Sequence, residues 1–201
     1  MLIHLDEALL VANKPAGLLA VPGRGEDKQD CLSARIQKEF PDALIVHRLD
    51  MATSGLILFA RGAKMQRELS LLFQDRLVSK RYVAVVAGRV EQEAGEIDLP
   101  LICDWPNRPL QKVDHDLGKP SLTRYRLLNH DNDTTRIELE PVTGRTHQLR
   151  IHMAAIGHPI LGDVFYGDAA SAPRLLLHAC SLDFVHPLSG EQLSLASEAP
   201  F

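Results

Sequence analysis

Apolar residues occur in this chain of 201 residues as short runs, none of which approaches the roughly 18–20 residues of a membrane-spanning helix. Two runs, residues 55–60 and 82–87, have the composition and length of buried strands. The segments 122–129 and 134–140 alternate around Asp131-Asn132-Asp133, which predicts a hairpin. Because strands outnumber helices, we expect an α+β fold with a largely antiparallel sheet, not a doubly wound parallel one.

Three segments have the pattern of helices. Residues 63–75 place apolar side chains at helical spacing, residues 31–39 form a short segment that Pro41 ends, and residues 146–156 follow a bend. The other predicted strands are short: two around a turn within residues 2–13, then 44–46, 175–177 and 192–195. We expect one domain over residues 1–201, because no repeat or linker interrupts the chain.

Basic residues are concentrated in a few segments, although the formal net charge is −4. Residues 48–90 contain eight Lys and Arg against three Asp and Glu, and residues 105–126 and 141–153 are also net positive. The whole-chain charge argues against a nucleic-acid partner, which usually accompanies a high isoelectric point. The uneven distribution instead predicts one basic face on an otherwise acidic body.

Cysteine and histidine usage points away from disulfides and metals. The three cysteines, Cys31, Cys103 and Cys180, are odd in number and well separated, as expected for reduced thiols in a cytoplasmic protein. The acidic start of the chain argues against a signal peptide. His147 and His152 lie five residues apart, so they do not share a helix face as metal ligands four apart do, and we expect no metal site.

Two of the segments with reactive side chains adjoin predicted buried strands. HRLD, residues 47–50, carries Arg48 and Asp50 in a polar connection between strands, an arrangement that positions a carboxylate while leaving it accessible to solvent. Taken alone, such a connection is more often an ordinary surface loop. Tyr82 opens the apolar strand 82–87 and offers a flat face for stacking and a hydroxyl for hydrogen bonding, although a structural strand tyrosine has the same pattern.

Two further segments follow. GRTHQLR, residues 144–150, places Arg145, His147 and Arg150 around a turn between a strand and a helix, where backbone N–H groups and basic side chains bind anions. RLLLHA, residues 174–179, contains Leu176 and by itself indicates a core strand.

The order and combination of these segments resembles the RluA-type RNA pseudouridine synthases, from NKPAGLL at residues 13–19 to RLLLHA. The segment LPLICDWPNRPLQKV, residues 99–113, is similar to the RluA subgroup. Because the first strands of the catalytic domain begin at the start of the chain, we expect no S4-like domain of the kind that many relatives carry. The resemblance implies a single catalytic domain over residues 1–201. It also implies a mostly antiparallel mixed sheet flanked by helices, with the active site in a central cleft.

The resemblance further implies isomerisation of uridine to pseudouridine in RNA hairpins, without an organic cofactor because the reaction is redox-neutral. For the subgroup, the implied substrates are the tRNA anticodon stem-loop at position 32 and a hairpin of 23S ribosomal RNA at position 746. A synthase for ribosomal RNA alone, one for another tRNA position, or an inactive RNA-binding module are the alternatives. We expect a monomer that needs no membrane and no obligate protein partner.

The resemblance assigns catalytic roles to three residues. Asp50 is the essential carboxylate, acting either as a nucleophile or as a base on the ribose, and the sequence leaves both roles open. Tyr82 stacks on the target uracil, and its hydroxyl is a candidate for removing the C5 proton. Arg150 is the cation that keeps Asp50 ionised, with Arg145 as the alternative from the sequence alone.

The remaining expected contacts bind the RNA. Leu176 packs on the other side of the uracil, and Arg48 fills the space that a flipped base leaves, because a guanidinium is planar and stacks on bases. Arg145, His147 and Arg108 are expected to contact the RNA as well.

Overall fold

The computed structural model describes residues 2–201, and it has the α+β composition that the sequence predicts. The twelve strands found there are β1 (Leu2–Leu5), β2 (Leu9–Lys14), β3 (Ala43–Ile45), β4 (Ser54–Arg61), β5 (Ser79–Ala87), β6 (Ala94–Asp98), β7 (Leu101–Cys103), β8 (Gln111–Val113), β9 (Leu122–Asp131), β10 (Thr134–Pro141), β11 (Leu177–Val185) and β12 (Gln192–Ala196). The α-helices are α1 (Leu32–Gln37), α2 (Gly62–Gln74) and α3 (Gln148–Ala155). Within residues 2–201, no helix is long and apolar enough to cross a membrane.

The chain divides into two compact units. Unit 1 comprises residues 2–80 and 179–200, and unit 2 comprises residues 81–178 together with residue 201. The chain passes from one unit to the other within β5 and returns within β11. Each unit is therefore built from segments that are distant in the sequence.

In unit 1 the strands are hydrogen-bonded in the order β1-β2-β4-β11, with β3 paired to β4 and β12 paired to β11. The pairs β1–β2, β2–β4, β3–β4 and β11–β12 are antiparallel. Helix α2 packs against β3 and β4, with Met65 and Leu69 on its buried face. These side chains join a core that includes Leu56, Leu58 and Phe184, so the amphipathic spacing predicted over residues 63–75 is confirmed.

In unit 2 the strand order is β5-β10-β9-β6, and all three neighbouring pairs are antiparallel. Strand β10 alternates perfectly: Thr135, Ile137 and Leu139 are buried, while Arg136 and Glu138 face the other side. The hairpin predicted at the Asp131-Asn132-Asp133 turn is confirmed. Strands β7 and β8 form a separate antiparallel pair, and α3 packs against β8, β9 and β10.

Several element boundaries differ from the predictions. The strand predicted over residues 175–177 is wrong in extent, because β11 begins at Leu177 and continues through polar residues to Val185. The helix predicted from residue 146 begins at Gln148, because His147 has a left-handed backbone (φ 54°) that a helix does not accommodate. The strand predicted over residues 44–46 lies one residue earlier, and the short strands β6, β7 and β8 were not predicted.

Gly55, at the start of β4, gives a test of the packing in unit 1. Its φ is +117°, and a Cβ there would overlap the backbone of Ala179 in β11. We expect Gly55→Ala to lower the free energy of unfolding by at least about 3 kcal/mol, from steric overlap and backbone strain together. Urea denaturation measures this loss.

Gly144→Ala is the matched control, because a Cβ there meets no heavy atom within 4 Å and no positive φ opposes it. The control should change the free energy of unfolding by less than about 0.5 kcal/mol. Equal effects of the two substitutions would show that β4 and β11 do not approach as closely as described.

Candidate active site

The loop that carries Asp50 is anchored by a buried lysine. Lys14, at the end of β2, is fully buried, and its Nζ donates to the carbonyl oxygens of Pro15, Leu18 and Met51 at 2.9, 2.7 and 3.0 Å. The N–H of Gly17 also donates to Met51, at 2.8 Å. A buried ammonium needs such oxygen partners, so the charge of Lys14 fixes the backbone next to Asp50.

The side chains of the HRLD segment differ in their exposure to solvent. Leu49 is buried, Arg48 is exposed, and Asp50 is half-buried. The N–H of Thr53 donates to the carbonyl of Asp50 at 3.1 Å, which closes a turn before β4 begins. The loop thus leaves Asp50 half-buried close to a rigid strand and Arg48 in solvent.

His47, the first residue of HRLD, acts as a neutral anchor. Its ring stacks on Phe73 of α2 with centroids 4.5 Å apart, and its Nε2 accepts from the N–H of Leu58 at 3.1 Å. Burial, with a smaller contribution from the charge of Lys80, lowers the pKa of His47 to about 3. The ring is therefore uncharged at neutral pH and fastens the loop to β4 and α2.

In unit 2, Gln148 organises the GRTHQLR turn. Its Oε1 accepts from the hydroxyl of Thr143 at 2.7 Å and from the N–H of Arg145 at 3.0 Å. Its Nε2 donates to the carbonyl of Leu122 and the hydroxyl of Thr123, at 2.9 and 3.0 Å. This buried amide ties the turn to β9, and it leaves Arg145 exposed and His147 half-buried.

Arg150 is buried in α3 and forms a two-pronged ion pair with Asp163. Its Nε and Nη2 donate to the two carboxylate oxygens at 2.7 and 2.6 Å, and the two residues are only 2% and 1% exposed. The rings of Phe165 and Tyr166 flank the guanidinium at 5.1 and 5.2 Å. Such a geometry holds the plane of a guanidinium in one orientation.

The ionisation of Asp163 follows from these contacts. Burial raises the pKa of the carboxyl, but the hydrogen bonds and charge of Arg150 and the N–H groups of Phe165 and Tyr166 outweigh it. The net result is a lowered pKa, so Asp163 carries its charge at neutral pH. The sequence gives no direct sign of this partner, which lies thirteen residues after Arg150 in an irregular segment.

Tyr166 connects the GRTHQLR turn to strand β8. Its hydroxyl lies 2.7 Å from Nδ1 of His147 and accepts from the N–H of Gln111 at 2.9 Å. The His147 ring also contacts the Phe165 ring, with centroids 5.7 Å apart. His147 and Arg150, predicted separately, therefore share one aromatic cluster, which includes the hydroxyl that supports β8.

Tyr82 lies in strand β5, and Leu176 lies beside that strand within unit 2. Tyr82 is half-buried in β5, opposite Leu139 of β10. The carbonyl of Leu176 accepts from the N–H of Val85 at 3.1 Å, which places the half-buried Leu176 beside β5, three residues beyond Tyr82. Arg108 lies apart from this strand, exposed in the connection between β7 and β8.

The outer face of the unit 2 sheet corrects one expectation about charge. Arg124 and Arg126 of β9 were expected to contribute to a basic face, but Glu96, Glu138 and Glu140 on the neighbouring strands lie beside them. Arg124 contacts Glu96 at 2.8 Å, and Arg126 contacts Glu138 at 3.1 Å. Cross-strand pairing of opposite charges thus makes this face mixed, and its arginines do not form an RNA-binding surface of one sign.

The structure groups the predicted residues by unit. Unit 1 holds Arg48 and Asp50, whereas unit 2 holds the other predicted site residues: Tyr82, Arg108, Arg145, His147, Arg150 and Leu176. The set that combines Asp50 with Tyr82 and Arg150 stays a prediction. Among residues 2–201, no group of three or more His, Cys, Asp or Glu side chains is arranged to hold a metal ion.

Comparison with known proteins identifies the family. The family described as RNA pseudouridylate synthase matches residues 8–155, which include HRLD, Tyr82 and the whole GRTHQLR segment. The chain belongs to this family and is an RNA pseudouridine synthase, an isomerase of uridine in RNA.

Curated relatives and solved structures agree with this assignment. The chain is 50% identical over 205 residues to the dual-specificity RNA pseudouridine synthase RluA of Escherichia coli strain K12, with 100% of this chain and 94% of that protein covered. The protein of the same name from Yersinia pestis is 49% identical, with both chains fully covered. The structure of human RNA pseudouridylate synthase domain containing 1 superposes with a TM-score of 0.82 at 28% identity, covering 100% of this chain and 83% of that one.

The buried pair of Arg150 and Asp163 gives a prediction about stability. Asp163→Asn keeps the shape of the side chain but removes the carboxylate charge that accepts two hydrogen bonds from the buried Arg150 guanidinium. We expect the free energy of unfolding at pH 7 to fall by about 3–5 kcal/mol. Because the native pKa of Asp163 is lowered, its stabilisation is present above the unfolded-state pKa of about 3.9 and is lost as the pH falls through the native value.

Urea denaturation of wild type and variant across pH 3–8 measures this difference, which should shrink below about pH 4. Asp30→Asn is the control, because it removes an exposed ion pair with Arg35 and should change stability little. A difference between wild type and Asp163→Asn that stays constant down to pH 3 would contradict a lowered pKa of Asp163 in the folded protein.

Proposed function

We propose that this synthase isomerises uridines in two classes of structured RNA, the tRNA anticodon stem-loop and a hairpin of 23S ribosomal RNA. Full-length similarity to enzymes named for dual specificity supports this proposal. The observation that supports the isomerisation itself is the HRLD loop, in which buried Lys14 and neutral His47 anchor the backbone on either side of a half-buried Asp50 carboxylate. The alternatives are a synthase for ribosomal RNA alone or one for another tRNA position.

In the proposed reaction, the bond between C1′ and N1 of the uridine breaks, the uracil turns, and a bond forms between C1′ and C5. A proton leaves C5 and another is taken up at N1, so no external group is consumed. Asp50 acts on the ribose as a nucleophile or as a base. Both roles need an ionised carboxylate, for which Arg150 supplies the proposed positive charge and Arg145 is the alternative.

The binding roles follow the environments of the side chains. Tyr82 presents its ring to the uracil and its hydroxyl to the C5 proton, and Leu176 covers the opposite face of the base. Arg48 is exposed beside Asp50, where its planar guanidinium can occupy the space of the flipped base. Arg108, Arg145 and His147 contact the RNA outside the target nucleotide.

The same proposal includes the biological setting expected from the sequence. One catalytic domain over residues 1–201 works as a monomer in the cytoplasm, without an obligate protein partner, and forms its active site in a central cleft. Sedimentation at working concentration tests the monomer.

Asp50→Asn tests the catalytic proposal directly. The substitution removes the carboxylate charge while nearly preserving the volume of the side chain, so folding and RNA binding should persist. We expect pseudouridine formation to fall by at least about 10⁴-fold, the cost of losing the group that reacts. Carbodiimide labelling followed by reverse transcription detects the product in an anticodon stem-loop and in a 23S hairpin transcript.

Asp131→Asn, at the exposed end of β9, is the matched control and should retain wild-type turnover. Activity of Asp50→Asn within tenfold of wild type would contradict the catalytic role of Asp50. Product in the ribosomal transcript alone would refute dual specificity while leaving the catalytic residue in place.

Arg48→Ala tests the proposed filling of the vacated space. A guanidinium that replaces a flipped base matters most when the base leaves an ordered stack. We expect the substitution to raise KM or lower kcat about tenfold more for the structured hairpin than for a short single strand containing the same uridine. Steady-state kinetics on both substrates measure the ratio, and equal losses on the two would rule out this role for Arg48.

A further inference from the structure

The short hairpin between β7 and β8 exposes the only tryptophan of the sequence. Trp105 is 66% exposed, although it lies in a segment fixed by hydrogen bonds. A large aromatic side chain in solvent forfeits the free energy that its burial would supply. An exposed tryptophan at this position is therefore suited to bind a ligand that presents a flat, apolar surface.

The backbone around Trp105 is rigid. The N–H of Asp104 donates to the carbonyl of Leu110 at 3.0 Å, and the N–H groups of Asn107 and Leu110 close two further turns inside this segment at 3.0 Å each. The Asn107 side chain donates to the Asp104 carboxylate at 2.9 Å. A side chain held in place before binding loses little entropy on contact with a ligand.

The tryptophan ring is already covered in part by a cation. The guanidinium carbon of Arg108 lies 4.2 Å from the centroid of the Trp105 ring. Two-thirds of the Trp105 surface remains accessible despite this cover, so the ring can accept a second flat partner. The pair presents a planar aromatic surface with a positive charge beside it, which matches an unpaired base and its phosphate.

The hairpin is joined to the predicted RNA-binding turn within unit 2. Gln111 of β8, three residues after Arg108, donates its N–H to the Tyr166 hydroxyl, and that hydroxyl also bonds the His147 ring. One oxygen atom thus supports both the hairpin and the GRTHQLR turn. An RNA held at His147 has a fixed second contact at the hairpin.

We propose that Trp105, backed by Arg108, is a stacking platform for one unpaired base of the substrate RNA, outside the target uridine. This inference rests on the proposed function, because it takes the RNA substrate as its ligand. It adds a recognition contact that favours loops with a splayed base over continuous duplexes.

Because Trp105 is the single tryptophan, emission excited at wavelengths that the three tyrosines do not absorb reports on this residue alone. The Asp50→Asn protein is titrated with an anticodon stem-loop transcript, and binding is followed in parallel by the anisotropy of a fluorescein on the RNA. We expect quenching of tryptophan emission that saturates together with the anisotropy. Binding without quenching would overturn the stacking platform and leave the proposed function intact, whereas absence of RNA binding would overturn both.

Abasic substitution at each loop nucleotide then identifies the stacked base. One position should abolish the quenching and weaken binding about 5- to 150-fold, the range expected for one base on an aromatic ring. Trp105→Ala should weaken binding by a similar factor, and combining it with that abasic site should add little further loss. Full additivity of the two changes, or quenching that survives at every abasic position, would contradict direct stacking.

Substitutions within the hairpin separate stacking from folding. Trp105→Phe keeps an aromatic face and should recover most of the affinity, whereas Trp105→Ala should raise KM with little change in kcat. Leu117→Ala is the matched control, since this side chain is 74% exposed after β8 and has no flat face. Equal losses for Leu117→Ala and Trp105→Ala would show that general apolar exposure, not the indole, binds the RNA.

Discussion

Each unit of this protein buries a cation, and the oxygens that satisfy it determine the shape of a functional loop. In unit 1 the ammonium of Lys14 gathers three carbonyls, one of them from Met51 beside Asp50. In unit 2 the guanidinium of Arg150 takes both oxygens of Asp163. Leaving either charge without its partners would cost several kcal/mol, so these loops have little freedom to rearrange. The rigidity that catalysis needs thus follows from the burial of charge.

The elements with a strong periodic signal could be predicted from the sequence, and those specified by single contacts could not. The spacing of apolar residues predicts helix α2 and the hairpin of β9 and β10. Strand β6 buries only Ile97, so it has almost no apolar pattern to detect. Helix α3 starts late because the backbone of His147 is left-handed, and no local pattern encodes either that conformation or the contact of the His147 ring with Tyr166.

The candidate site divides in the same way. Asp50, Tyr82 and Arg150 could be named because their segments occur together in one order along the chain. Asp163 and Gln148 could not, because their importance comes from partners brought together by folding: a buried guanidinium for one, and four hydrogen bonds for the other. The prediction that Arg124 and Arg126 belong to a basic face failed for a related reason. A count along the chain does not show that Arg124 and Arg126 face glutamates on adjacent strands.

Because glutamates pair with Arg124 and Arg126, fewer cationic side chains are available to bind RNA phosphates than the sequence indicates. Selection must then rely on shape and on contacts such as stacking, which tolerate salt better than ion pairs with phosphate. The Tyr166 hydroxyl gives this a structural basis, because it supports the hairpin of Trp105 and the turn of His147 at once. The protein would then recognise one fixed spacing between a base stacked on Trp105 and an RNA backbone bound near His147. Two RNAs of different sequence could satisfy that geometry if their loops place one unpaired base at the same distance from the target uridine, which is the physical requirement for dual specificity in a single site.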